Sequence, residues 1–338
     1  MSGRQGVNRN IYITSCEGPV SRSDSAQEIA AAFLPEGERL FALLKQFDDY
    51  LGDIEKVKSH VYGNSLKYIL PFLKAAGVTD KDVREFSKQH ISVMSETKEI
   101  FASIQEKMEI YIVSAEYVYY IEEVAKYLGL DTAHAYATRV FFDDYTMGER
   151  EQKMFTGLAN AFLQLPPISW SEAGVVPPDG QFAIDSLKAF FLERLSTLSV
   201  NRWLKGIHLM SGAEKAEAVL DIAKRTNTAL EDIIYVGEGI TDVNALSLVR
   251  EHGGLSISYN GSRQAVLNAE YTVVSEDASI LKEIAFTFSQ SGKRGIKEGT
   301  TREGAFVCSS ANCDIDNVIS YSENKRKELQ ERPTGNPK

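Results

Sequence analysis

A chain of 338 residues is about twice the length of a usual single domain, which predicts two compact units or one core carrying a large insertion. Apolar residues at 43% and charged residues at 25% exclude a wholly disordered protein. Lys and Arg number 37 against 47 Asp and Glu, a formal net charge of -10 without a long basic cluster, so nucleic acid and anionic membrane are not expected as partners.

No stretch approaches the roughly 18 to 20 apolar residues of a spanning helix, and Met1 to Asn10 lacks the apolar centre of a secretory signal. No membrane insertion and a cytoplasmic location are the expectations. Cys16, Cys308 and Cys313 are an odd set in a long chain, which predicts free thiols, and a lone C-x4-C pair without nearby His is a poor zinc site.

In chain order, Asn10 to Thr14 (NIYIT) is a short apolar, β-branched run stopped by Ser-Cys-Glu-Gly-Pro, the pattern of a buried strand. From Ser23 to about Gln105 the period becomes helical. Ser25 with Glu28 suggests a capping box, Leu40, Leu43, Leu44, Phe47 and Leu51 form one apolar stripe, and Thr79 with Asp82 suggests a second box. No strand pattern interrupts these helices, so residues 23–105 are expected as a helical cap inserted into the core.

Glu109 to Val113 (EIYIV) is a second buried-strand run, followed by a helix ending near Gly129. Ala135 to Phe142 is extended, and helices near Glu149 to Leu163 and Gln181 to Leu198 flank a Pro-containing bend, which suggests a smaller insertion at 146–205. Then follow a helix to Thr226, the strand Asp232 to Val236 (DIIYV), a helix from Thr241, the strand Gly254 to Tyr259 and a helix from Ala278 to Ser289. This alternation predicts an α/β fold with a parallel sheet covered on both faces, built from residues 1–22 and 106–290. Residues 291–338 read as a polar tail with one solvated helix from Asp314 to Glu331 and a mobile end.

Parallel sheets place ligands at the carboxyl ends of their strands, so the residues after each apolar run are the candidates. They are Ser15, Glu17 and Gly18 after the first strand, Ser114 after the second, and Gly237, Glu238, Gly239 and Asp242 after the third, with Lys215 in the helix before it. A hydroxyl, an ammonium and three carboxylates at one edge suit a phosphate group with a hard divalent cation. A dinucleotide turn is the rival for Gly237 to Gly239, but the third glycine is missing and two carboxylates would repel a pyrophosphate. Taken singly, Ser114 could equally cap a helix, and Lys215 could be a solvated surface residue. Cys16 is expected as a small buried hydrophobe, Asp143 and Asp144 as turn carboxylates, and Tyr117, Tyr120 and Tyr127 as one packed helix face with Tyr119 off it.

The order of these motifs resembles the haloacid dehalogenase-like superfamily, most of whose members are magnesium-dependent phosphohydrolases. The resemblance spans Ile11 to Ser289 and implies a Rossmann-like core. Glu17-Gly18-Pro19-Val20 matches the second half of the family's first motif, Ser114 the second, Lys215 in SGAEK the third and VGEGITD, Val236 to Asp242, the fourth. CEGPVS followed by a helical insertion is similar to a poorly characterised archaeal group, some of whose members are accessory to an energy-converting hydrogenase.

By this resemblance Ser15 stands where the family's nucleophilic Asp would be, Glu17 at the general acid and base position, and Ser114, Lys215 and Gly18 at the phosphate. Glu238, Asp242 and the Glu17 carbonyl would hold magnesium. A neutral hydroxyl needs a base to attack phosphorus, and none of the five His is adjacent in sequence. Losing one carboxylate and lengthening another weakens a site for an ion that demands octahedral geometry at about 2.0 to 2.1 Å. The expectation is a site for a small phosphorylated metabolite, impaired in catalysis, with weak magnesium binding. The alternatives are an active phosphatase working by another route and a non-catalytic accessory subunit, with a protein partner or a second copy left open.

Overall fold

The structure is a computed structural model that describes residues 10–21, 24–58, 60–94, 96–301 and 304–330. Eight strands form one sheet, β1 (Ile11–Thr14), β2 (Glu109–Tyr117), β3 (Ala135–Thr138), β4 (Ile233–Gly237), β5 (Leu255–Tyr259), β6 (Tyr271–Val274), β7 (Gly299–Thr300) and β8 (Phe306–Ser309). Their order is β3-β2-β1-β4-β5-β6-β8-β7, parallel from β3 to β6 and antiparallel at β8 and β7. This is the predicted α/β class. β1 lies centrally, pairing Thr14 with Ile112 on one side and with Val236 on the other.

Alternation along the central strands explains why both faces are covered. Ile11 and Ile13, Tyr111 and Val113, and Ile233 and Tyr235 point to one face, where α11 (Ala213–Thr226) and α12 (Val243–Glu251) bury Val219, Ile222, Leu246 and Val249 against them. Tyr12, Ile110, Ile112, Ile234 and Val236 join the larger core on the other face.

Between β1 and β2 run six helices, α1 (Ser25–Phe33), α2 (Gly37–Asp53), α3 (Ser65–Tyr68), α4 (Leu70–Ala75), α5 (Asp80–Gln89) and α6 (Thr97–Gln105), with no strand among the described residues. The predicted stripe on α2 is buried throughout, and the Thr79 and Asp82 box caps α5 as expected. The Ser25 box is not formed. Asp24 caps α1 by accepting from the Gln27 N–H, whereas Ser25 turns its hydroxyl to Glu116. A carboxylate one residue earlier is the better acceptor for the open amides of the first turn.

β2 runs four residues past its apolar core, with a register shift between Ser114 and Tyr117, before α7 (Val118–Tyr127) begins. Tyr119, expected off the packed face, is buried in the same core as Tyr117 and Tyr120, and its hydroxyl donates to Asp80 of α5 at 2.6 Å, tying α7 to the helices between β1 and β2. After β3, α8 (Glu149–Phe162), α9 (Pro178–Lys188) and α10 (Val200–Lys205) return to the same side. Phe72 of α4 meets Phe155 and Phe162 of α8, and Tyr68 meets Phe191 at 4.4 Å between ring centroids. The helices between β1 and β2 and those after β3 therefore share one aromatic core.

The chain after Ser291 differs from the sequence reading. α13 (Arg263–Asn268) and α14 (Ser279–Ser291) complete the parallel part, after which β8 pairs antiparallel with β6, and α15 (Ile315–Gln330) packs on it through buried Val318 and Ile319. The expected solvated helix is thus half buried, and Ser322 donates to the Gly261 carbonyl at 2.8 Å. Cys308 and Cys313 are joined in a disulfide whose Cα atoms lie 6.2 Å apart, because the turn after β8 brings them together. The free-thiol expectation holds for buried Cys16 alone. The expected mobile end, residues 332–338, lies outside the described residues. No described helix is long and apolar enough to cross a membrane.

Candidate functional site

The carboxyl edge of the sheet is built first by the turn after β1. Val20 and Ser21 both donate backbone N–H groups to the Cys16 carbonyl, and Gly18 donates to Ser21 at 2.7 Å with a φ of +87°. That left-handed conformation is open to glycine, and a Cβ here would meet the Glu238 carboxyl at 2.1 Å. The Gly18 amide is thus spent within its own turn, and Gly18 backs Glu238 instead of lining the cavity. Ser15 is buried, tied by its N–H to the Val236 carbonyl, and its hydroxyl donates to the Glu17 carbonyl at 3.1 Å.

Ser114 sits on the neighbouring strand, also buried, and accepts from the Glu116 N–H at 3.3 Å. It caps no helix, since α7 begins at Val118. Glu116 itself is held by Ser25, and burial pushes its carboxyl well above the usual range.

Lys215 is no surface residue. It is 2% exposed, and its Nζ lies 2.6 Å from Asp242 Oδ1. Asp242 is equally enclosed. Oδ1 also accepts the Tyr235 hydroxyl at 2.7 Å, and Oδ2 accepts the N–H groups of Glu238 and Gly239, both at 3.1 Å. Four donors match the four acceptor positions of a carboxylate, so Asp242 is saturated. Gly237 has a packing reason as well, because a Cβ there would meet the Asp242 side chain at 2.6 Å.

Glu238 is 4% exposed and faces Arg326 of α15, whose Nη2 stands 3.1 Å from Glu238 Oε1. Burial pushes the Glu238 carboxyl up to about 7, while Arg326 pulls it down. The guanidinium is in turn held protonated by Glu238 first, with Glu17 and Asp242 adding to it.

These groups line one cavity of about 410 Å³. Ser15, Glu17, Ser114, Lys215, Glu238 and Asp242 all reach it, so four separate segments meet at one rim. Residues that sequence reasoning missed complete it: Asp24, Lys45, Asp48, Asp49, Asp53, Tyr62 and Ser65 from the segment between β1 and β2, then Glu116, Ser262, Gln264 and Arg326. Burial, with Asp48 alongside, pushes the Asp49 carboxyl up to about 6, and Asp24 beside Lys45 holds that ammonium above its usual range. His60 Nε2 lies 3.1 Å from Asp48 Oδ1, and no histidine is among the lining residues. Asp48, Asp49 and Asp53 were legible only as polar positions on an amphipathic helix.

The metal expected from the resemblance does not fit these residues. Ser15 brings no carboxylate, the Glu17 carbonyl already accepts from Ser15, Asp242 is saturated and Glu238 carries a guanidinium. Among the described residues no three His, Cys, Asp or Glu form a group that could hold a metal ion. Asp242 instead fixes the turn after β4 and holds Lys215.

The strand order and the meeting of the four motif segments at the carboxyl edge decide the class of the core. The core is a Rossmann-like α/β sheet. No family model matches the sequence, and no curated relative does. Among solved structures, a gene product of Archaeoglobus fulgidus is similar over 95% of this chain and 97% of its own, with a TM-score of 0.80 and 21% identity. A substrate-bound phosphoserine phosphatase matches 82% of this chain and 96% of its own at TM-score 0.47 and 16% identity. A haloacid dehalogenase family hydrolase of Salmonella enterica serovar Typhi matches 75% and 62%, at TM-score 0.45 and 16% identity.

Proposed function

We propose that this haloacid dehalogenase-like chain binds a small phosphorylated ligand and turns it over poorly or not at all. The observation that carries the proposal is Ser15, which occupies the nucleophile position with its hydroxyl donated to a backbone carbonyl and no histidine lining the cavity to activate it. Ser15, Ser114 and Lys215 supply two hydroxyls and an ammonium for the phosphate. The carboxylates of α2 accept hydrogen bonds, so the rest of the ligand would offer donors, hydroxyls or an ammonium. In this reading the helices between β1 and β2 act as a cap, since α2 contributes Lys45, Asp48, Asp49 and Asp53 to the cavity wall. Magnesium plays no part in the binding, because the residues that would hold it are already engaged.

Hydrolysis of a generic aryl phosphate with magnesium, compared between the native chain, Ser15→Asp and Glu17→Gln, tests the catalytic half. We expect negligible turnover from the native protein and little gain in Ser15→Asp, whose new carboxylate still lacks the metal partners. Robust native turnover abolished by Glu17→Gln would overturn the reading. For the binding half, inorganic phosphate should raise the thermal midpoint of the native chain more than that of Ser114→Ala. Identical midpoints with and without phosphate in the native chain would remove the support for a phosphate site.

A further inference from the structure

A resident cation already sits where the resemblance expects an ion. Arg326 reaches the cavity from α15, 88 residues beyond its partner Glu238 and on the far side of the antiparallel strands. Its Nη2 bonds Glu238, and its Nε is enclosed without a hydrogen-bond partner among the described residues. Ser322, one turn earlier on α15, is anchored to the Gly261 carbonyl, and Gly261 precedes Ser262, which also lines the cavity. The helix is therefore docked beside the site, and the side chain is not a loose surface arginine.

We infer that the guanidinium of Arg326 replaces the divalent cation in this pocket, neutralising Glu238 and excluding metal ions from it. Two observations and one electrostatic argument converge. Glu238 is almost wholly enclosed, and a buried carboxylate needs a positive partner. Arg326 provides one, and a guanidinium keeps its charge at all physiological pH values. A divalent ion approaching Glu238 would have to displace it or bear its repulsion at short range, in surroundings where charges interact far more strongly than in water. This goes beyond the proposed function, because the exclusion of metal holds whatever ligand the cavity takes.

The test needs no phosphate ligand, so its outcome is separate from that of the binding proposal. Mn2+ binding to the full chain is measured by electron paramagnetic resonance, and Mg2+ binding by calorimetry. The native chain and Arg326→Lys should bind neither ion at the pocket, whereas Arg326→Met should bind Mn2+ at least roughly tenfold more tightly than the native chain. Adding Glu238→Gln to Arg326→Met should abolish the gain. Arg326→Gln serves in place of Arg326→Met if circular dichroism shows the latter unfolded. Two results would overturn the inference: tight native Mn2+ binding lost in Glu238→Gln, or a folded Arg326→Met or Arg326→Gln that binds no better than the native chain.

Discussion

Replacing Lys215 by Met removes one charge from a pair in which both side chains are 2% exposed and 2.6 Å apart. The methylene stem is kept, so the loss is electrostatic. Breaking a buried pair by deleting one partner costs about 3–5 kcal/mol, because the other charge stays enclosed. Here Asp242 retains the Tyr235 hydroxyl and two backbone amides, which places the expected cost near the lower end, about 3 kcal/mol. Asp242→Asn should be similarly destabilising, since it leaves the ammonium enclosed and turns an amide NH2 or a single acceptor toward donors. The double variant removes both charges together, so its cost should fall short of the sum of the two by at least about 1 kcal/mol. Urea unfolding at pH 7, followed by circular dichroism, gives all three values. A Lys215→Met cost below about 1 kcal/mol, or single costs that simply add, would refute the reasoning.

Asp49 gives a pH signature. Its carboxyl is raised from 3.8 to about 6, chiefly by burial, so the folded state holds the proton more tightly than the unfolded state and stability falls as pH rises through that window. Asp49→Asn should therefore be more stable than the native chain above pH 6, by at most about 3 kcal/mol, with the difference vanishing near pH 4. Urea midpoints across pH 4 to pH 8 check it, and a constant difference would refute the assignment to Asp49. Gly18→Ala should cost upwards of about 1 kcal/mol, since the turn needs φ of +87° and the new methyl meets the Glu238 carboxyl. A variant as stable as the native chain in the same assay would mean that Glu238 is not seated against this turn.

The strands were legible because each central one is a short, β-branched and aromatic apolar run bounded by turn residues, too short for a buried helix, as in IYIV or IIYV, and so reads as a strand enclosed on both faces. The segments that meet at the rim were legible for the same reason, because polar residues directly after such runs have one place to go. Lys215 shows the limit of the method. In AEKAEAVL it has the pattern of a solvated residue, and only the motif order placed it at the site; the fold adds that its ammonium is enclosed against Asp242. The α2 carboxylates were hidden because a helix with one apolar stripe normally gives its other face to water, whereas here part of that face gives onto the cavity. β8 is a four-residue run, Phe306–Ser309, set between Gly304 and the polar Ser-Ala-Asn turn inside a segment otherwise rich in Gly and charge, so it did not read as a strand, and without it α15 had nothing to dock on. Arg326 could not be inferred from spacing, since its partner lies in another motif and the contact exists only once the antiparallel strands turn the chain back.

The placement of α15 also orders events during synthesis. A nascent chain emerges from its amino end, and its early regions begin to fold before later ones exist. The parallel strands and both helical insertions can assemble while the antiparallel strands and α15 are still being translated. Until residue 326 has cleared the ribosome, Glu238 lacks its guanidinium, so the nascent polypeptide carries an uncompensated carboxyl that the folded protein does not.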